Sequence, residues 1–354
     1  MQALIVEPGR PHSARVEEVP APAPASGSVL LRPLEVGICG TDREIAEGLF
    51  GIAPEGSDRL VLGHEVLARV EEDAESFSRG DLVAATVRRS CGRCEACVQG
   101  SPDACATGLY LERGITRLDG FAAELVTEAA DQLIPVPQAL GRLGVLAEPA
   151  SICERALRHV RAIGGRQPWA PLRALVLGAG AIGMLATYLL RLEGLEVWTA
   201  ARGPADGRKG ELVAASGARY VSVADTAPAA LAEETGGFDV VIEAAGDAQV
   251  MLDAIGHLRR NGVACLLGID GRPRRVSIDG RVIAQDAVVE NRVLFGSVNA
   301  HRVDWQAAVN DLDRARERWP QALEAFVGLR VPLDRFEDAF AYRGVKATLL
   351  LESA

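Results

Sequence analysis

Cys91, Cys94, Cys97 and Cys105 have two, two and seven residues between them, the spacing at which four thiolates enclose one tetrahedral ion. Four thiolates leave no open coordination position, so zinc bound there would be structural; four unrelated thiols are the bland alternative. A second group mixes ligand types: Cys39 in Gly37-Ile-Cys39-Gly-Thr41-Asp42, His64 and Glu65 in Gly63-His64-Glu65, and Glu148 in Ala147-Glu148-Pro149. Either half alone reads equally well as core or surface. Together, thiolate, imidazole and carboxylate suit a zinc with a position left for substrate, which is the catalytic form.

A third signal is Arg173-Ala-Leu-Val-Leu-Gly178-Ala-Gly180-Ala-Ile-Gly183, an apolar strand running through G-x-G-x-x-G into an apolar helix. In this pattern Gly178 allows the tight turn, Gly180 lets the backbone approach a pyrophosphate, and Gly183 lets helix and strand pack. The helix N-terminus, with Ala181 and Ile182, then faces the phosphate charge. The next predicted strand ends Ala200-Ala201-Arg202-Gly203, with no carboxylate where an NAD site would hold the ribose hydroxyls. Arg202, with Arg208 and Lys209 nearby in sequence, suits a 2′-phosphate, so NADP is favoured over NAD. An exposed arginine and dual cofactor use is the other reading of Arg202.

The chain that must position these groups has 354 residues, which favours two domains. Its 48% hydrophobic and 24% charged residues are those of a globular protein. A net charge of −10 argues against nucleic acid or an anionic membrane as main partner and for a small-molecule substrate. Only Lys209 and Lys346 are lysines, a bias we read as genomic. Seven cysteines, an odd count, and an N-terminus without a basic region and apolar stretch predict a cytoplasmic chain without disulfides.

Short apolar runs at 3–6, 29–33, 66–70 and 82–86, punctuated by Gly and Pro, predict a β-rich first part. Ser151 is predicted to cap a helix, with Glu154 completing a capping box. Beyond it, six strands near 174–177, 196–199, 220–223, 239–243, 263–267 and 293–296 alternate with helical stretches, which predicts a doubly wound parallel sheet. A helix near 305–318 and a strand near 346–351 follow. Cys153 and Cys265 read as buried inert thiols, and Asp42 and Arg43 as structural.

These pieces, in this order, resemble the zinc-dependent medium-chain dehydrogenases of the alcohol dehydrogenase superfamily over essentially the whole chain. Gly37-Ile-Cys-Gly-Thr-Asp-Arg-Glu44, Asp119-Gly-Phe121 and Gly296-Ser-Val-Asn299 are similar to the glucose 1-dehydrogenase branch, whereas Leu62-Gly-His-Glu65 is shared more widely. The resemblance implies an α/β protein in which a Rossmann domain, residues 153–296, is inserted into a β-rich, partly opened barrel-like (GroES-like) catalytic domain, residues 1–152 and 297–354. It implies Cys39, His64, Glu65 and Glu148 around the catalytic zinc, and Thr41 in the proton path from the substrate hydroxyl. Glu112 and Asn299 take positions that hold sugar hydroxyls. Ala245, Gly268, Ser297 and Asn299 join the glycine motif and Arg202 at the cofactor, and a homodimer or homotetramer is implied.

Three positions depart from that branch. Val87, Ile152 and Val289 stand where it calls for polar sugar contacts, so the pocket is expected to be altered and glucose a poor substrate. The activity implied is a zinc-dependent, NAD(P)-dependent interconversion of a hemiacetal or secondary hydroxyl and its carbonyl on a sugar-like or polyol-like substrate. One alternative is an alcohol dehydrogenase or carbonyl reductase acting on a less hydroxylated intermediate. Another, of a different class, is a non-catalytic cofactor-binding protein, against which the intact zinc set argues.

Overall fold

The computed structural model describes residues 1–352. The chain divides into two compact units: Met1–Ser151 with Asn299–Asp313 and Val327–Ala354, and Ile152–Val298 with Arg314–Phe326.

The first unit is built on a seven-stranded sheet ordered Leu133–Val136, Leu82–Ala85, Glu65–Val70, Ser28–Ile38, Lys346–Leu350 and Val327–Pro332, with Val126–Ala129 also paired to Ser28–Ile38. Its pairings are antiparallel except for the last, between the two C-terminal strands. Ser28–Ile38 alternates buried and half-buried residues until its last four, which are all buried. Pro33 offers no N–H, and the register against Glu65–Val70 shifts between Pro33 and Glu35. The shift lets one long strand serve three neighbours and end with Ile38 in the core. Two chemistry-bearing segments start at that end: Cys39 caps the helix Gly40–Ala46, and Glu65 pairs with Gly37. A side chain at Gly37 would bring its Cβ to 2.0 Å from Glu65 Oε2, so the glycine of this motif makes room for a carboxylate.

The second unit carries a six-stranded, all-parallel sheet ordered Arg219–Ser222, Glu196–Ala201, Arg173–Leu177, Phe238–Glu243, Leu258–Leu266, Val293–Gly296. That is the Rossmann order, with its switch point between Arg173–Leu177 and Phe238–Glu243. Buried runs such as Ala174–Leu177 and Phe238–Glu243 are near-continuous, as a sheet covered on both faces requires. The α/β class with a doubly wound sheet and a β-rich second part is therefore as expected.

Three local expectations need correction. The helix predicted to begin at Ser151 begins at Ala147 and runs to Gly164, so Glu148 sits in its first turn. Ser151 is inside it, donating its Oγ to the Glu148 carbonyl at 2.7 Å, a local bond that competes with the capping role. The strand expected from residue 263 starts at Leu258, hidden in sequence by the polar Arg259-Arg260-Asn261. Arg314–Phe326, which the sequence assigns to the catalytic domain, clusters with the Rossmann unit. The reason is aromatic: Trp319 and Phe326 meet buried Tyr188 edge-on, with ring centroids 5.1 and 4.8 Å away.

Candidate active site

In the first unit Cys39 Sγ faces His64 Nε2 at 3.2 Å, and one ligand atom from each of Cys39, His64 and Glu65 lies within 4.8 Å of the others. The other ring nitrogen, Nδ1, is 3.4 Å from Asp42 Oδ1. Asp42 is fully buried at the third position of the short helix that Cys39 caps, and its Oδ2 accepts the Cys39 backbone N–H. Burial opposes charge on His64, but the Cys39 thiolate and Asp42 carboxylate outweigh it and raise the imidazole well above its usual range. Burial likewise opposes ionisation of Asp42, and His64 reverses this and holds the carboxyl below its ordinary value. A cysteine sulfur and a carboxylate thus converge on one buried imidazole, an arrangement that calls for positive charge. Asp42 Oδ1, His64 Nδ1 and Glu65 Oε2 are sealed from solvent; the first two face each other, and Glu65 Oε2 is ion-paired with Lys346.

Glu65 is not left to itself. Lys346, buried on the last strand of the sheet, forms an ion pair with it, donating to Glu65 Oε1 at 2.6 Å and to the Ile38 carbonyl at 3.3 Å. Glu148 lies outside the three-residue group but close enough to feel it: burial first, and then the Glu65 charge, push its carboxyl up to about 7. Thr41 opens the helix after Cys39 and donates its backbone N–H to Cys39 Sγ at 3.2 Å. Arg43 is a structural residue, as expected, donating to the carbonyls of Ala339, Phe340 and Tyr342.

Glu112, on the strand Leu111–Arg113, and Asn299 meet, the Asn299 Nδ2 donating to Glu112 Oε1 at 3.1 Å. Asn299 is left-handed, with φ 63°, a conformation asparagine tolerates, and its own Oδ1 accepts the Ala300 N–H. Val87 is 4% exposed on the same unit, its carbonyl accepting from the Arg113 N–H. Ile152 and Val289 belong to the second unit; Val289 is 59% exposed and its carbonyl accepts from Arg260.

The four-cysteine group closes as its spacing predicts, with Cys91, Cys94, Cys97 and Cys105 sulfurs within 4.8 Å of one another. The loop turns its amides inward: Cys91 N–H points at Cys97 Sγ and Cys94 N–H at Cys91 Sγ. The Thr107 hydroxyl first, and then the backbone of Arg93 and Cys94, hold the Cys91 thiol down at about 5. That is a ready-made thiolate, which suits zinc.

In the second unit the three motif glycines differ in what a side chain would meet. At Gly178, φ +108°, a Cβ would press 2.7 Å from the Ala244 carbonyl, and at Gly183 2.0 Å from the Gly178 carbonyl. At Gly180, the N-cap of the helix Ala181–Leu192, a Cβ would meet nothing within 4 Å. Two glycines therefore serve packing, and the third fronts open space at a helix N-terminus, as a pyrophosphate requires. Ala245 and Gly246 turn their N–H groups onto Glu243 Oε1 at 2.7 and 3.0 Å, and a Cβ at Gly268 would collide with Glu243 Oε2. Ser297 Oγ is enclosed without a partner. Arg202 is exposed after the strand Glu196–Ala201; half-buried Lys209 is pushed below its ordinary range by burial and then by Arg202. Arg208 pairs with Glu211 instead.

Sequence reasoning missed the roles open to Asp42 and Lys346. Asp42 carried a signal, a carboxylate three residues after Cys39 in a capping box. Lys346 stood out only as one of two lysines.

A GroES-like unit holding a mixed thiolate–imidazole–carboxylate group, joined to a Rossmann unit, defines a medium-chain dehydrogenase. Residues 25–138 match the model of the alcohol dehydrogenase GroES-like domain, and residues 141–349 that of the glucose dehydrogenase C-terminus. Glucose 1-dehydrogenase of Methanocella arvoryzae is 43% identical over 342 residues, 96% of this chain and 95% of that protein. Glucose 1-dehydrogenase of Thermoproteus tenax is 40% identical, covering 97% and 96%. The structure of Haloferax mediterranei glucose dehydrogenase in complex with NADP, zinc and gluconolactone superposes with a TM-score of 0.92 at 32% identity, covering all of both chains. The chain belongs to the glucose dehydrogenase family of the medium-chain dehydrogenases.

Proposed function

We propose that this protein is a zinc-dependent oxidoreductase, using NADP in preference to NAD, that interconverts a hemiacetal or secondary hydroxyl and its carbonyl on a sugar-like or polyol-like substrate. The observation that carries the reading is Cys39 Sγ opposite His64 Nε2, with Glu65 alongside and His64 Nδ1 turned to Asp42. A ligating histidine whose second nitrogen faces a carboxylate is held in the tautomer that coordinates metal. Cys39, His64 and a carboxylate from Glu65 or Glu148 hold the catalytic zinc, and Cys91, Cys94, Cys97 and Cys105 the structural one. Zinc, when bound, polarises the substrate hydroxyl and lowers its pKa, and the nicotinamide takes the hydride.

The remaining steps fall to the chain. Thr41 passes the hydroxyl proton outward. Asp42 orients His64, and Lys346 offsets the negative charge of Glu65 where three acidic ligands would otherwise crowd. Glu112 and Asn299 hold hydroxyls away from the reacting carbon. Gly180 and the helix behind it receive the pyrophosphate; Arg202 and Lys209, cations with no carboxylate partner among the described residues, receive the 2′-phosphate. Ala245, Gly268 and Ser297 line the nicotinamide side.

The Haloferax protein binds NADP, zinc and gluconolactone, which supports the same substrate class here. Val87, Ile152 and Val289 favour a less hydroxylated substrate than glucose. An alcohol dehydrogenase or carbonyl reductase activity on such a compound is the second reading, and those three aliphatic residues are what favour it.

We assign residues 153–296 to the cofactor domain and the remainder to the catalytic domain, apart from 314–326. A homodimer or homotetramer would form through the Val293–Gly296 strand, which ends its sheet. Reduced, metal-binding thiols suit the cytoplasm, and no helix among the described residues is long and apolar enough to cross a membrane.

A panel of aldoses, polyols and simple secondary alcohols assayed with NADP and NAD tests the reading. Saturable turnover of a polyhydroxylated substrate with NADP is expected. Turnover of none of them by protein carrying both zinc ions would refute it, and strong saturable oxidation of glucose, comparable to any other substrate, would refute the altered pocket.

A further inference from the structure

Glu112 Oε1 accepts from Asn299 while Oε2 is left bare, and the cause lies in a neighbouring residue. Arg88 lies opposite Glu112 in the pairing of Arg88–Arg89 with Leu111–Arg113. Its Nε donates to Glu112 Oε1 at 2.9 Å, as does Asn299 Nδ2 at 3.1 Å, and the Arg88 Nη2 forms an ion pair with that same oxygen at 2.9 Å. Oε2 takes no donor among the described residues, and it is not sealed from solvent. Arg88 is itself only 7% exposed, packed with its guanidinium 3.8 Å over the Tyr110 ring. Its third nitrogen, Nη1, donates at 3.0 Å to the carbonyl of Asp103, in the turn Pro102–Ala104 that leads directly into Cys105.

A carboxylate held on one oxygen cannot swing and presents the other oxygen in one direction. That is the requirement for accepting from a hydroxyl of a polyhydroxylated substrate. We infer that Arg88 is a positioning residue for substrate recognition: it aims Glu112 Oε2 and ties that aim to the four-cysteine lobe through Asp103. The inference rests on the proposed role of Glu112 in holding substrate hydroxyls. Lysine would not replace arginine here, since one ammonium cannot satisfy both Glu112 and the Asp103 carbonyl from a fixed plane. Arg89, next in the chain, faces elsewhere, bonding Thr86 and pairing with Glu128, so it is a natural control.

The test is a double-mutant cycle on the zinc-loaded, full-length protein with NADP as cofactor and, as probe, the aldose or polyol of the panel above that the wild-type protein turns over best. Glu112→Gln and Arg88→Gln are each expected to lower kcat/KM roughly tenfold or more through KM, the range for losing an oriented charged hydrogen bond. The double variant is expected to be no worse than the poorer single, because Arg88 acts through Glu112. Zinc content and NADP affinity should stay at wild-type values, and Arg88→Lys should be intermediate.

If Glu112→Gln leaves kcat/KM unchanged, the reading of Glu112 fails and this inference with it. If Glu112→Gln is impaired while Arg88→Gln is not, or their losses multiply, the role of Glu112 stands and the inference is overturned. Should Arg88→Gln not fold, Arg88→Lys enters the same cycle, and wild-type kcat/KM there overturns it equally.

Discussion

Asp42 and His64 form a buried pair in which the carboxylate Oδ1 lies 3.4 Å from Nδ1, while Nε2 of the same ring faces Cys39 Sγ. The carboxylate needs no new element to reach the ring. It is the third residue of the helix that Cys39 caps, and its other oxygen already closes that cap on the Cys39 N–H. One short helix therefore sets both Cys39 and the carboxylate that faces His64.

Asp42→Asn should weaken zinc binding at the mixed site by about 10–100-fold, the usual consequence of removing a carboxylate behind a ligating histidine. The four-cysteine zinc should be retained. Titrating the metal away with a competing chelator would measure both at once, and equal retention at the mixed site would contradict the role of Asp42.

Lys346→Met leaves Glu65 as a buried carboxylate without its partner. A loss of about 3–5 kcal/mol in unfolding free energy is expected for breaking a buried ion pair from one side. Added zinc should recover part of it, since the ion offers Glu65 a second positive neighbour. Denaturant unfolding with and without zinc checks this; a loss that zinc does not alter would separate Lys346 from the metal.

Arg202→Ala should raise KM for NADP at least roughly tenfold while leaving KM for NAD nearly unchanged, since a 2′-phosphate loses a charge-assisted contact and a 2′-hydroxyl does not. Lys209→Ala should act in the same direction. Equal effects on both cofactors would place these cations away from the phosphate.

Thiol labelling should separate the seven cysteines into classes. Burial pushes Cys265 up to about 12, and buried Cys153 donates to the Ile182 carbonyl. With zinc bound, iodoacetamide should leave both unmodified until the protein is denatured, and the four clustered cysteines should react only after chelation. Rapid native labelling of Cys265 would contradict its burial.

Much of this was legible in the residues. The glycine triplet announced the Rossmann unit because strand, turn and helix are contiguous, and the four cysteines announced their cluster because they sit on one loop. The mixed site was legible only in part: Cys39 and His64 lie 25 residues apart, yet Gly37 and Glu65 are paired neighbours across two strands. Lys346 comes from the far end of the chain, and nothing local marks it as the partner of Glu65, since only the sheet order brings the last strand beside Ser28–Ile38. The Arg88–Glu112 pair escaped for the same reason, being a cross-strand contact between two-residue and three-residue strands with no periodicity to read. The helix start at Ala147 was obscured by a serine three residues beyond Glu148 that looked like a cap and instead bonds within the helix.

The most direct test of the central claim is the rate of NADP reduction against zinc content. A chelator is titrated until one zinc per chain remains, held by the four cysteines, and zinc is then restored. Activity should disappear with the zinc of the mixed site and return in proportion to its reoccupation, with the fold unchanged by circular dichroism. Full turnover at one zinc per chain, with the four-cysteine site filled and Cys39 open to alkylation, would contradict the account.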